Sequence, residues 1–307
     1  MGERLDEKKE MDIIQAKNIL TTCRNLGTTH LTILGGEPTL HNNLLQIIQI
    51  AAQNHFDSIC IDTNGVCIDK LIQIEPALLH EIRISLDGAT SDSNDYIRGD
   101  GVFRNVIRNV EKLITRGYNV VFTCTIQKRN INDVLKVIDL AESMDVGKVN
   151  FHVMSSEGNG KDIEHLAISA DEWRDVCNKI EQYESNVKVW YPPAWSIKEE
   201  IEKYEMQGFQ GCLGYSMDRL SVMPDGKAYI CSLLFDYPYN FFYFDKEGNL
   251  SINKKWNEMD MFFENITSQQ KLLEAGCPAE MLLGEKKMGY VSLCRCWKAQ
   301  IDYNVTS

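Results

Sequence analysis

LTILGGEPTLHNN, Leu31–Asn43, runs from an apolar strand through a glycine turn to a helix start, with one acid, Glu37, set between Gly36 and Pro38. Two adjacent glycines let a ligand approach the backbone closely, and a carboxylate there can accept hydrogen bonds from an ammonium group. Ligands meet parallel α/β sheets at the carboxyl ends of strands. Whether this turn belongs to a site therefore depends on whether the surrounding chain alternates helix and strand.

It does. Upstream, Met11, Ile13, Ile14, Ile19, Leu20, Cys23 and Leu26 follow helical spacing, and Gly27 is placed as a helix stop. Downstream the unit recurs: helix 44–52 and strand 58–61, a short helix near Leu71 and strand 82–85, helix 102–116 and strand 120–125, helix 131–144 and strand 148–153. This rhythm implies right-handed crossovers and a parallel sheet, open or closed into a barrel, with five visible strands and a chain that opens on a helix. Past about residue 160 the rhythm stops. Helices over 169–183 and 197–206 flank YPPAW, which Pro192 and Pro193 keep from being helical throughout, so 166–210 reads as a helical bridge. In DRLSVMPDGKAYICSLL the turn Pro224-Asp225-Gly226 predicts a hairpin.

Composition sets the outer bounds. At 44% hydrophobic and 25% charged, 307 residues can bury a substantial core. The charged opening MGERLDEKKEMDI is neither a signal peptide nor an anchor, which makes a cytoplasmic location and no membrane partner the expectation. A net charge of -12 without a basic block argues against nucleic acid. His30, His55 and His80 read as packing residues near element ends, and His152, on the last strand of the series, as a core histidine or as one facing the pocket. The run FDYPYNFFYF, 235–244, reads as a groove wall or as two packed edge strands.

The strand ends carry the chemistry. GGEP at Gly35–Pro38 is followed by DTNG at Asp62–Gly65, then by SLDG at Ser85–Gly88 with IRGDGVF at Ile97–Phe103. A carboxylate, a hydroxyl and a guanidinium from Glu37, Ser85 and Arg98 on one rim suit a zwitterionic amino acid. In that order, and with FHVMSSEGNG at Phe151–Gly160, the sequence resembles the radical S-adenosylmethionine superfamily over about half of its length. The resemblance implies that Gly35, Gly36 and Glu37, with Pro38 behind them, hold the methionine amino group of S-adenosylmethionine. Thr63 and Asn64 would lie beside it, Ser85 and Arg98 would bind its carboxylate or ribose, and Asp87 would stand near. It also implies a CxxxCxxC loop for a radical-generating 4Fe-4S cluster, which this chain does not contain. The fold expected is therefore a partial (β/α)6 barrel over 1–165 lacking its first strand, in a chain that starts just past the cluster loop and is inactive alone.

Ten cysteines without a secretory signal are read as buried thiols or metal ligands. Cys23, Cys60, Cys67, Cys124 and Cys177 are assigned to the core. Cys212, Cys231, Cys277, Cys294 and Cys296, with Gly226-x4-Cys231, resemble a SPASM or twitch domain over 211–307, a small cysteine-rich α+β unit. Four of these five could hold one auxiliary 4Fe-4S cluster, with either Cys294 or Cys296 left over; zinc accepts the same donors. The resemblance implies a radical enzyme acting on a peptide or protein, with a flavodoxin or ferredoxin as electron donor. The alternatives are a small-metabolite dehydrogenase of the same chemistry and a cluster-free binding protein.

Overall fold

The computed structural model describes residues 10–154, 158–192, 219–231, 234–235 and 240–253. Its first part is built from α1 (Ile13–Asn25), β1 (His30–Ile33), α2 (Leu44–Gln53), β2 (Ser58–Thr63), β3 (Glu81–Ser85), α3 (Ser91–Arg98), α4 (Val102–Thr115), β4 (Val120–Ile126), α5 (Val134–Ser143), β5 (Lys148–Val153), α6 (Ala170–Glu181) and β6 (Lys188–Trp190). The six strands form one parallel sheet in chain order.

Chain order has a physical consequence. Every crossover steps the same way, and right-handed crossovers then place their helices on one face of the sheet. That face is apolar: Ile61, Ile82, Ile84, Phe122, Ile126, Val149 and Phe151 are fully buried against Leu44, Ile48, Val106, Val110, Leu113 and Val137. Because side chains alternate along a strand, the intervening residues form a second face, and it is polar. In register across it lie Asp62, Arg83, Val121 and Lys148, with Glu81 one step toward the amino ends. Glu81 bridges two cations, Arg83 at 2.7 Å and Lys148 at 3.0 Å, while Arg83 reaches Asp62 at 3.4 Å. Burial alone would raise the Glu81 carboxyl, but Arg83 and Lys148 hold it below the usual range.

Two elements depart from the sequence expectation. The sheet has six strands where five were expected, because Lys188–Trp190, within the stretch read as a bridge, pairs with β5. Helix α3 was missed although Thr90 and Ser93 form a capping box at its start.

The second unit is a four-stranded antiparallel sheet, β7 (Ser221–Val222), β8 (Lys227–Tyr229), β9 (Phe242–Phe244) and β10 (Leu250–Ile252), in the order β10-β9-β8-β7. The Pro224-Asp225-Gly226 hairpin is present, and the aromatic run supplies β9, an interior strand, where one of its two readings was a pair of edge strands. This sheet docks on α1. Phe244 and Ala228 pack on Ile19, with Met11 and Cys23 at the margin. The Thr22 hydroxyl donates to the Gly248 carbonyl at 2.8 Å, and the Asn18 amide to the Lys246 carbonyl at 3.1 Å. A Cβ on Gly248 would meet Asn18 at 2.7 Å, so only glycine fits this contact. Among the described residues no helix is long and apolar enough to cross a membrane.

Candidate functional site

The turn after β1 is tied to the turn after β2 through Glu37. Its Oε1 accepts from the Thr63 hydroxyl at 2.6 Å, the Thr39 hydroxyl at 2.7 Å and the Thr39 amide at 3.1 Å, and its Oε2 accepts from the Asn64 amide at 2.8 Å. A carboxylate has about four acceptor positions, so most of its capacity goes to the protein. Glu37 is thus first a link between two turns and caps the short 3-10 helix Pro38–Leu40. Gly35 leaves open space: a Cβ built on it has no atom within 4 Å.

The β2 turn is fixed from within. Asn64 accepts from the Val66 amide at 2.8 Å through its side chain, and Asn109 donates to the carbonyls of Gly65 at 2.9 Å and Val66 at 3.0 Å. Gly65 has φ +72, and a Cβ there would meet Ile84 at 2.7 Å, so both backbone and space demand glycine.

The β3 end is organised by Asp87, only 4% exposed. Its Oδ1 accepts from the Thr125 amide at 2.7 Å and its Oδ2 pairs with Arg98 Nη2 at 2.8 Å, while its own amide donates to Asn94 at 3.0 Å. Asn130, 1% exposed, donates to the carbonyls of Asp87 at 2.9 Å and Thr125 at 2.8 Å. Together these bonds stitch the ends of β3 and β4. Gly88 lets α3 approach: a Cβ there would meet Ser93 Oγ at 2.3 Å.

The structure therefore brings Gly35, Gly36, Glu37, Pro38, Thr63, Asn64, Ser85, Asp87 and Arg98 to the carboxyl ends of three neighbouring strands and the helix that follows them. Two polar groups there lack partners. The Ser85 hydroxyl makes no hydrogen bond among the described residues, and Arg98 Nε is buried without one. Buried polar groups are nearly always satisfied, so Arg98 Nε fits a ligand that carries acceptors, as S-adenosylmethionine does in its carboxylate and ribose, and the half-buried Ser85 hydroxyl is free to serve the same ligand. Sequence reading missed Asn94, Asn109 and Asn130; a lone asparagine carries no pattern, and only the fold shows which carbonyls it binds.

The metal expectations fare differently. Cys60 and Cys124 are buried, Cys23, Cys67 and Cys177 half-buried, and Cys231 is buried just past β8. Cys212, Cys277, Cys294 and Cys296 lie outside the described residues. Among the described residues no group of three or more histidine, cysteine or acidic side chains comes together to hold a metal.

Comparison with known proteins agrees with the fold. The model of the Radical SAM superfamily matches residues 2–141. A probable GTP 3',8-cyclase of Saccharolobus solfataricus is 27% identical over 244 residues, 75% of this chain and 74% of that protein. Streptococcus suis SuiB bound to precursor peptide SuiA superposes with a TM-score of 0.66 at 16% identity, over 92% of this chain and 68% of that one. Native anSMEcpe with bound AdoMet and Kp18Cys peptide gives 0.63 at 15% identity, over 93% of this chain and 85% of the other. Strands β1 to β4 and the glycine-rich turns that follow β1, β2 and β3 lie within the stretch that matches the Radical SAM superfamily model.

Proposed function

We infer that this enzyme binds S-adenosylmethionine across the carboxyl ends of β1, β2 and β3 and acts on a peptide or protein substrate. The observation that carries the cofactor placement is Arg98: Asp87 fixes one end of the guanidinium at 2.8 Å while its buried Nε has no partner. A donor held in place and unspent is what a carboxylate or ribose oxygen requires. Ser85 would add its hydroxyl, and the open backbone at Gly35 and Gly36 would meet the amino group. Glu37 keeps the two turns at a fixed separation. When bound and reductively cleaved, S-adenosylmethionine supplies a 5'-deoxyadenosyl radical that abstracts hydrogen from carbon.

The peptide reading draws on the shared fold of two solved enzymes whose structures include peptides. A nucleotide substrate is the second reading, favoured by the 27% identity to probable GTP 3',8-cyclases. An auxiliary 4Fe-4S cluster on Cys231 and the late cysteines, and a flavodoxin- or ferredoxin-type donor, complete the proposal. Iron analysis of anaerobically prepared protein tests the cluster: about four irons per chain are expected, and zinc alone would make that module structural.

Equilibrium dialysis against labelled S-adenosylmethionine tests the cofactor site. Arg98→Gln and Ser85→Ala should each weaken binding about tenfold, the worth of one hydrogen bond to a charged group. Unaltered binding in both variants would overturn the placement.

A further inference from the structure

The polar face of the parallel sheet carries a row that runs away from the cofactor end. Ser85 lies opposite Thr123, Thr123 opposite Asn150, and Asn150 opposite Trp190, across β3, β4, β5 and β6. Neighbouring strands are about 4.8 Å apart, so the row spans roughly 14 Å. Asn150 is only 4% exposed, yet neither its amide nor the Thr123 hydroxyl hydrogen-bonds to any described residue. At the far end the Trp190 ring lies 5.4 Å from that of His152, tilted by 56°.

Asn150 is buried and Thr123 half-buried, and two adjacent polar groups that the protein itself leaves unused are open to a partner supplied from outside. The chemistry of the row defines it. A carboxamide and a hydroxyl each donate and accept, whereas a phosphate only accepts. In the adjacent row the cations Arg83 and Lys148 are already held by Asp62 and Glu81, and Lys188 stands exposed at the sheet edge. We propose that Thr123 and Asn150 form the specificity floor of the substrate site and take an uncharged, planar amide of a polypeptide beside the ring of Trp190. This assignment rests on the peptide reading above and narrows it to amide recognition.

The test uses the full chain labelled with 15N at tryptophan indoles, with Trp190 identified through Trp190→Phe. It is titrated with acetyl-Gly-Asn-Gly-amide and, in parallel, with GTP. The Trp190 signal should move with the peptide and not with GTP. Asn150→Leu and Thr123→Val should each weaken peptide binding about 10- to 100-fold. Their melting temperatures should be unchanged or higher, since neither group is used within the protein. Equal peptide affinity in both variants overturns this assignment and leaves the peptide reading standing. A Trp190 shift with GTP alone, or none with the peptide, overturns both. Lowered melting temperatures in both variants would make the two side chains structural and also overturn the assignment.

Discussion

The Thr63 hydroxyl, at the last position of β2, donates to Glu37 Oε1 at 2.6 Å, so the turn that follows one strand is measured off against the end of the next. The neighbouring Asn64 amide completes the link on the other oxygen at 2.8 Å. A residue chosen from the sequence for its charge serves here first by its geometry.

Glu37→Gln should therefore loosen the site as well as weaken it. A carboxamide turns its NH2 toward either the Thr39 amide or the Asn64 amide, and one contact becomes donor against donor. A loss of about 1–3 kcal/mol is expected in urea unfolding. Amide exchange at Asn64 and Gly65 should accelerate beyond the global change.

The ion cluster of the polar face sets an acid limit. The folded Glu81 carboxyl titrates below its unfolded value. The stabilisation it provides is therefore complete above the unfolded pKa and is lost as pH falls through the folded one. Melting temperature should drop steeply as the solution is taken from neutrality to about pH 3 in the native chain. In Glu81→Gln the drop should be shallower. At neutral pH that variant leaves Arg83 and Lys148 short of a counter-charge, at a cost of about 3 kcal/mol.

Cys23 reports on the docking of the small sheet. Burial pushes its thiol up to about 11, so little thiolate is present near neutral pH and alkylation should be slow. Gly248→Ala places a methyl group against Asn18. It should lift the sheet from α1 and raise the Cys23 alkylation rate at least several-fold, read by mass spectrometry of the tryptic peptide. An unaltered rate would mean that the contact yields without undocking.

Asn130→Ala removes the donor that joins the carbonyls of Asp87 and Thr125. Two buried carbonyls lose a partner, and about 2–3 kcal/mol of stability should go with them. S-adenosylmethionine binding should also weaken, because Arg98 is positioned from Asp87. Asn130→Asp should restore little, since it returns acceptors and no donor.

The parallel sheet was legible where the chain spells it in apolar strands, as in β2 to β5, and in helices that end on glycine, as α1 does at Gly27 and α4 at Gly117. It was not legible at β6, because a three-residue strand such as Lys-Val-Trp is specified by its partner and not by its own sequence. Helix α3 was hidden by its polarity: SDSNDYIR has almost nothing apolar to show a period, and its cap is the stronger signal. At the candidate site, the glycine-rich turns could be placed at strand ends from the sequence, but the part each residue plays there could not. Nothing in the sequence tells that Glu37 spends itself on Thr63, Thr39 and Asn64, or that Arg98 pairs with Asp87. The row from Ser85 to Trp190 is invisible without strand register, since its members are 105 positions apart in the chain and adjacent only across four strands.

Helix α1 is a party wall: Leu20 belongs to the large core, while Ile19 on the next position belongs to the small one. Recombining these modules between related enzymes would thus require moving α1 together with β7 to β10. A graft cut between them would leave Phe244 with a foreign surface to rest on, however well each half had been chosen.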